Sequence, residues 1–184
     1  YTLWHTLSLH DALPILDWWQ NLRTYRPVVS YGGDAESAVV RSEVVLQGRM
    51  AGYRLVAKID ALIADPGKAL VILDWKTSTR RPSDQDLRAR LQTRVYRALA
   101  VQAGDYLNGG QNVDPEMVEM IYWFPHFPGS PARLPYSHPQ YEADVRYLAR
   151  LISRIAEMEN NEFVLTDDER SEERRVGKEC ATGC

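Results

Sequence analysis

Asp74 and Lys76 stand two residues apart at the end of the apolar run Leu70–Leu73. A carboxylate and an ammonium on one face of a strand end can form an ion pair on the surface. Such a pair is worth about 0–1 kcal/mol. They can also be half of a reactive centre if a second carboxylate lies near. The sequence supplies one. Between two β-rich stretches lies "DPGK" (65–68), a turn in which Pro66 presets φ and Gly67 provides a positive φ. A hairpin centred on Gly67 puts Asp60 opposite Asp74. Directly opposed residues hold their Cβ atoms about 4.5–5.5 Å apart. Two carboxylates that close repel unless a proton or a cation intervenes. Oxygen donors of this kind suit Mg²⁺ or Mn²⁺. Lys76 projects from the same face as Asp74 by strand alternation.

The elements that must position these groups are legible in outline. "LDWWQNLRTYRP" (16–27) reads as a short helix stopped by Pro27. Stretch 38–50 is β-branched and partly alternating. Stretch 52–64 alternates more clearly, with Tyr53, Leu55, Ala57, Ile59 and Ala61 on one parity and Lys58 and Asp60 on the other. Stretch 69–77 reads as a central strand covered on both faces. Ser83 or Asp84 caps a helix over 87–104 that ends at Gly104. A fourth strand spans 117–127, 128–139 is Pro-rich and irregular, and a long helix spans 140–160. This order predicts an α/β or α+β domain, a central sheet flanked by helices.

The helix after Asp74 adds polar groups. Gln92 and Tyr96 are four apart and share one face, with Arg88 preceding them on the same stripe. Glu43 lies among strand apolars, as a further ligand, a substrate contact or a solvent-facing residue. Lys58 shares a face with Asp60, as a phosphate contact or a neutralising partner. His126 and His138 have no metal-ligand spacing and read as structural. The "YWF" of the fourth strand reads as core or groove-lining.

An Asp on one strand ("GYRLVAKIDALI"), Asp-x-Lys on its hairpin partner ("VILDWKTS") and Gln-x-x-x-Tyr on the next helix ("LQTRVY") resemble the PD-(D/E)XK nuclease superfamily, and within it the RecB-like branch. The resemblance implies a restriction-endonuclease-like core with a mixed sheet. It implies that Asp60, Asp74 and Lys76 are catalytic, and that Asp60, Asp74 and the backbone carbonyl of Trp75 hold Mg²⁺ or Mn²⁺. Gln92 and Tyr96, with Arg88 and Glu43, would position the site or touch substrate. The implied activity is metal-assisted hydrolysis of DNA phosphodiesters, of (exo)deoxyribonuclease type, in repair or recombination. DNA is the implied partner, with a helicase subunit or domain beside it. The alternative is the same fold, catalytically silent, holding DNA or a helicase. "FVLTDDE" (163–169) resembles the segment that precedes a cysteine cluster in many relatives, which implies an iron–sulfur cluster in a longer parent but not in this chain.

Composition is compatible with this reading. The chain has 184 residues, 45% of them hydrophobic and 26% charged, with a formal net charge of −3. No global basic excess points to nucleic acid, so binding must use a local patch or metal ions. No apolar stretch is long enough for a membrane span, which predicts no membrane partner and a cytoplasmic location. The two ends are expected not to belong to the domain. "TLSLHDALPI" and "RSEERRVGKEC" back-translate to one short-read sequencing adapter in its two orientations. Residues 1–15 and 170–184 then read as translated adapter, and 16–169 as a nuclease-like domain truncated at both ends. On that reading His5, His10, Asp11 and Cys180 belong to no site.

Overall fold

The computed structural model describes residues 38–158, and Gln20 besides. Apart from Gln20, the helix expected over 16–27 lies outside the described residues, as do the two adapter-like ends. The chain divides into two compact units, 1–152 and 153–184. The sheet and the candidate site lie in the first. Of the second, the structure describes 153–158.

Five strands form one sheet in the order β1-β2-β3-β4-β5. They are β1 (Val39–Met50), β2 (Tyr53–Asp65), β3 (Ala69–Trp75), β4 (Val118–Trp123) and β5 (Ala132–Pro135). The sheet is mixed: β3 and β4 run parallel, and the other neighbours are antiparallel. The helices are α1 (Asp84–Ala89), α2 (Leu91–Ala103) and α3 (His138–Glu157). A mixed sheet with helices is the α+β architecture expected from the element order, and it matches a restriction-endonuclease-like core.

The β2–β3 hairpin forms at the turn that the sequence marks. Lys68 N–H donates to the Asp65 carbonyl at 3.0 Å, and Gly67 has φ 78°. The register runs from Asp65↔Ala69 to Ala61↔Leu73, so the next position along brings Asp60 opposite Asp74. β3 is buried over Ala69–Asp74. It is flanked by β2 and β4, as a strand apolar on both parities requires.

The simple alternation of β2 does not hold along its length. Ala57 and Ile59 belong to the main core, but beyond Asp60 it is Leu62 and Ala64 that join them. Ala61 and Ile63 face the other side of the sheet. The change of phase falls where Asp60 meets Glu43. The ladder pairs Ser42 with Ala61 and Val44 with Ile59, and skips the pair between them. Glu43 there has φ 52°, a left-handed conformation that costs a non-glycine residue about 1–3 kcal/mol. Both strands turn over together, and Asp60 sits at that corner.

Two further expectations are corrected. The helix expected over 87–104 is two helices. Arg90 is extended (φ −60°, ψ 139°) and both ends α1 and begins α2. The Thr93 hydroxyl donates to the Leu87 carbonyl at 2.6 Å, taking the acceptor that Leu91 N–H would use in a continuous helix. Ser83 is the cap of α1, its Oγ accepting from Asp86 N–H. The Pro-rich stretch 128–139 is not wholly irregular, since Ala132–Pro135 pairs with β4. An edge strand tolerates proline because its outer N–H groups need no partner.

The main core lies between one sheet face and α2, with Leu46, Ile59, Ile72, Leu99, Met120 and Leu134 among its buried members. Met50, Ala98 and Leu148 form a smaller cluster that joins α2 to α3.

Candidate active site

Asp74 follows Leu70 and Ile72 on the core face of β3, and it is 2% exposed. A carboxylate so placed must be compensated. Lys76 Nζ lies 2.7 Å from Asp74 Oδ2, and Gln92 Nε2 donates to Asp74 Oδ1 at 2.8 Å. Lys76 also donates to Gln92 Oε1 at 3.0 Å. Asp74, Lys76 and Gln92 therefore close a ring of three side chains, in which the amide accepts from the ammonium and donates to the carboxylate. The backbone holds the lysine too, since Lys76 N–H donates to the Trp123 carbonyl at 3.0 Å. Beneath it, the Tyr122 ring lies 5.7 Å from Nζ.

Asp60 approaches from the neighbouring strand. Its Oδ2 accepts from Trp75 N–H at 3.4 Å, a long bond that replaces a rung of the sheet. Asp60 is solvent-exposed where Asp74 is buried. Burial pushes the Asp74 carboxyl above its usual range, the Lys76 contact and charge pull it down, and the charge of Asp60 pushes it up again. The two carboxylates thus act on one another electrostatically.

Tyr96, one turn past Gln92, donates its hydroxyl to the Lys58 carbonyl at 2.6 Å. Burial raises its pKa above the ordinary phenol value. Its role in the structure is to tie α2 to β2 just before Asp60. Glu43 pairs with Lys58 at 3.1 Å, with both side chains exposed. This fits the neutralising reading of Lys58. It places Glu43 in the register position facing Asp60 but outside the ring around Asp74.

Arg88 does not join the stripe. The break at Arg90 turns it away from Gln92 and Tyr96, into a cavity lined also by Arg94, Arg97 and Asp144. His138 contacts Asp114 at 3.2 Å near the start of α3, consistent with a structural role. Two supporting residues escape the sequence pattern. Thr93 Oγ1 and Tyr122 Oη lie 2.7 Å apart, both buried, and brace the floor under Lys76. The one signal for them is a tyrosine in a buried strand, whose hydroxyl must find a partner.

Among the described residues, no cluster of three or more His, Cys, Asp or Glu side chains is placed to hold a metal. The donor set around Asp74 nevertheless fits a small hard cation. Mg²⁺ is commonly held by one or two carboxylates, with water and substrate phosphate completing its shell. Asp74 Oδ2 meets Lys76 as a charge contact but has no aligned hydrogen bond.

The family model of the PD-(D/E)XK nuclease superfamily matches residues 3–184. The chain belongs to this superfamily. The members of the PD-(D/E)XK superfamily in general use divalent metal ions. The crystal structure of a "Putative exonuclease" from Eubacterium rectale aligns with a TM-score of 0.51 and 13% identity. The alignment covers 91% of this chain and 60% of that one. At this identity the likeness establishes the fold. This PD-(D/E)XK chain thus spans about three fifths of the solved structure's length. None of the curated proteins matches.

Proposed function

We propose that this chain is the core of a metal-dependent deoxyribonuclease of RecB-like type, working as an exonuclease in DNA repair or recombination. The observation that carries the reading is the closed contact of Asp74, Lys76 and Gln92 beside Asp60, on a superfamily scaffold. Asp60 and Asp74, with the Trp75 carbonyl, would hold the divalent ion, Mg²⁺ or Mn²⁺. When bound, that ion supplies Lewis acidity toward the scissile phosphate and favours hydroxide over water.

The remaining work falls to the chain itself. Lys76 is fixed by Asp74 on one side and Gln92 on the other, and its side chain keeps 26% exposure. Its free N–H can donate to a non-bridging phosphate oxygen, where charge builds as the bond to water forms. It can also orient the attacking water. Gln92 holds the lysine's direction, because its amide is engaged at both ends. Tyr96 keeps α2 seated over β2.

Cleavage of single- and double-stranded DNA with Mg²⁺ or Mn²⁺ tests this reading. The parent chain should cleave, and Lys76→Ala should be slower by at least about 100-fold. Equal rates in parent and variant would refute it.

A second reading has an observation of its own. Asp74 and Lys76 already neutralise one another at 2.7 Å. A site so compensated is stable without an ion and is compatible with a silent module that binds DNA or a helicase. DNA binding without cleavage in either metal, unchanged in Lys76→Ala, is the result that would favour it.

A further inference from the structure

On the far side of α2 from Lys76, three arginines meet around one acid. Arg88 from α1, Arg94 and Arg97 from α2, and Asp144 from α3 line a cavity of about 330 Å³, with Gln85 and Gln140 beside them. That volume is at the small end of ligand pockets. None of Asp60, Asp74, Lys76, Gln92 and Tyr96 lines it.

The charges in this cavity do not balance. Asp144 accepts from Arg94 Nη1 at 2.9 Å, from Arg97 Nη2 at 3.1 Å and from the Tyr136 hydroxyl at 3.0 Å. Its acceptor capacity is largely spent on those three. Arg97 is 3% exposed, and its Nε and Nη1 have no hydrogen-bond partner among the described residues. Its Cζ lies over the Tyr136 ring, 4.2 Å from the centroid, so an aromatic face shares in holding the cation. The Arg94 Cζ likewise lies over the Tyr147 ring, 4.4 Å from its centroid. Arg88 is half-buried, makes no ion pair with any described carboxylate, and its charge acts on Arg97. Three permanent cations against one carboxylate leave an excess of two positive charges in a partly desolvated recess. Cations at this density, one of them buried and two half-buried, favour an anion beside them.

Guanidinium groups bind phosphate through paired N–H donors, and the rim glutamines offer further amide donors. The geometry points to this cavity as a second, anion-binding site, between α1, α2 and α3, that takes a phosphate group. The phosphate can come from a free phosphomonoester or from the backbone of a DNA strand. The two sources share the same chemistry at the arginines. The site stands apart from the proposed active centre, so it holds or fails independently of that reading.

Calorimetric titration of the whole chain tests the inference, done in the Lys76→Ala background so that phosphate at the active centre does not count. Inorganic phosphate and a nucleoside 5′-monophosphate are the first probes, and a short single-stranded oligonucleotide is the third. Saturable binding of phosphate is expected, weakened at least tenfold in both Arg88→Gln and Arg94→Gln. Arg88 anchors no described carboxylate, so Arg88→Gln should keep its fold, which circular dichroism can verify. If the oligonucleotide displaces phosphate, and does so less well in Arg88→Gln, the natural source is a DNA backbone. If only the monophosphate competes, the source is a free phosphomonoester. No saturable phosphate binding, or binding unchanged in both arginine variants, would overturn the proposal.

Discussion

At Asp74, the proposed function and the stability of the fold pull in opposite directions. Burial raises its carboxyl pKa above 3.8 even with Lys76 alongside. A folded-state pKa above the unfolded one means that the native state binds the proton more tightly. The associated stability is present below about pH 4 and is lost as pH rises through the raised value. At neutral pH the ionised Asp74 is therefore a cost that the fold carries. Asp74→Asn keeps the shape, and its Oδ1 can still accept from Gln92. We expect this variant to match or exceed the parent in urea unfolding at neutral pH, while DNA cleavage falls by at least about 100-fold. A large loss of stability would show that the Asp74–Lys76 pair holds the fold. At Asp144 the opposite outcome is expected. Asp144→Ala strands Arg97 without its carboxylate, and Arg97 is almost wholly buried. The loss should be about 3–5 kcal/mol in urea unfolding.

At the scale of the element, the hairpin between β2 and β3 decides where the site forms. Gly67 has φ 78°, and a Cβ there would meet nothing within 4 Å. Gly67→Ala therefore tests backbone strain without steric overlap. It should cost about 1–2 kcal/mol, measured by urea unfolding, and leave the site geometry in place. This hairpin is legible because its signals are local: Pro and Gly in a turn, with β-branched residues on either side. Those signals alone suffice to put Asp60 opposite Asp74. The break at Arg90 is not legible. Arginine favours helix, Leu87 and Leu91 continue the apolar stripe, and the cause is a threonine hydroxyl competing for the Leu87 carbonyl. A continuous helix would carry Arg88 onto the face of Gln92 and Tyr96, which is why its position misleads. The turnover at Glu43 and Asp60 is hidden for a similar reason: nothing in glutamate announces a positive φ. β5 is masked by prolines that an edge strand accepts.

For the whole molecule, the main core carries two tyrosines whose hydroxyls are satisfied only while protonated or well paired. Burial pushes Tyr122 up from 10.0 to about 12, and it pushes Tyr136 higher still, with the charge of Asp144 adding to the effect. Both ionise more readily when unfolded. Their contribution to stability is complete below about pH 10 and disappears as pH rises toward and past about 12. Alkaline unfolding should therefore begin above about pH 10, with tyrosinate absorbance and loss of helical dichroism rising together. Tyr136→Phe should move that transition to higher pH, provided the exposed tyrosines are counted separately. Ionisation of Tyr122 or Tyr136 ahead of unfolding would contradict the expectation. Among the described residues no helix is long and apolar enough to cross a membrane.

The position of β3 has a kinetic meaning as well. On one side it pairs with β2 through a short turn, and on the other it runs parallel to β4, which lies far along the chain beyond both α1 and α2. Local pairing closes a small loop and long-range pairing a large one, so the hairpin should precede the crossover. Asp60 and Asp74 are then brought together early. Gln92 and the Trp123 carbonyl that hold Lys76 arrive late, with α2 and β4. For an interval during folding the two acids face each other before the amide that fixes the lysine has docked. Gly67→Ala should slow refolding, and Tyr122→Phe should chiefly speed unfolding, as stopped-flow tryptophan fluorescence can resolve. The last event in the folding of this chain would then be the locking of Lys76.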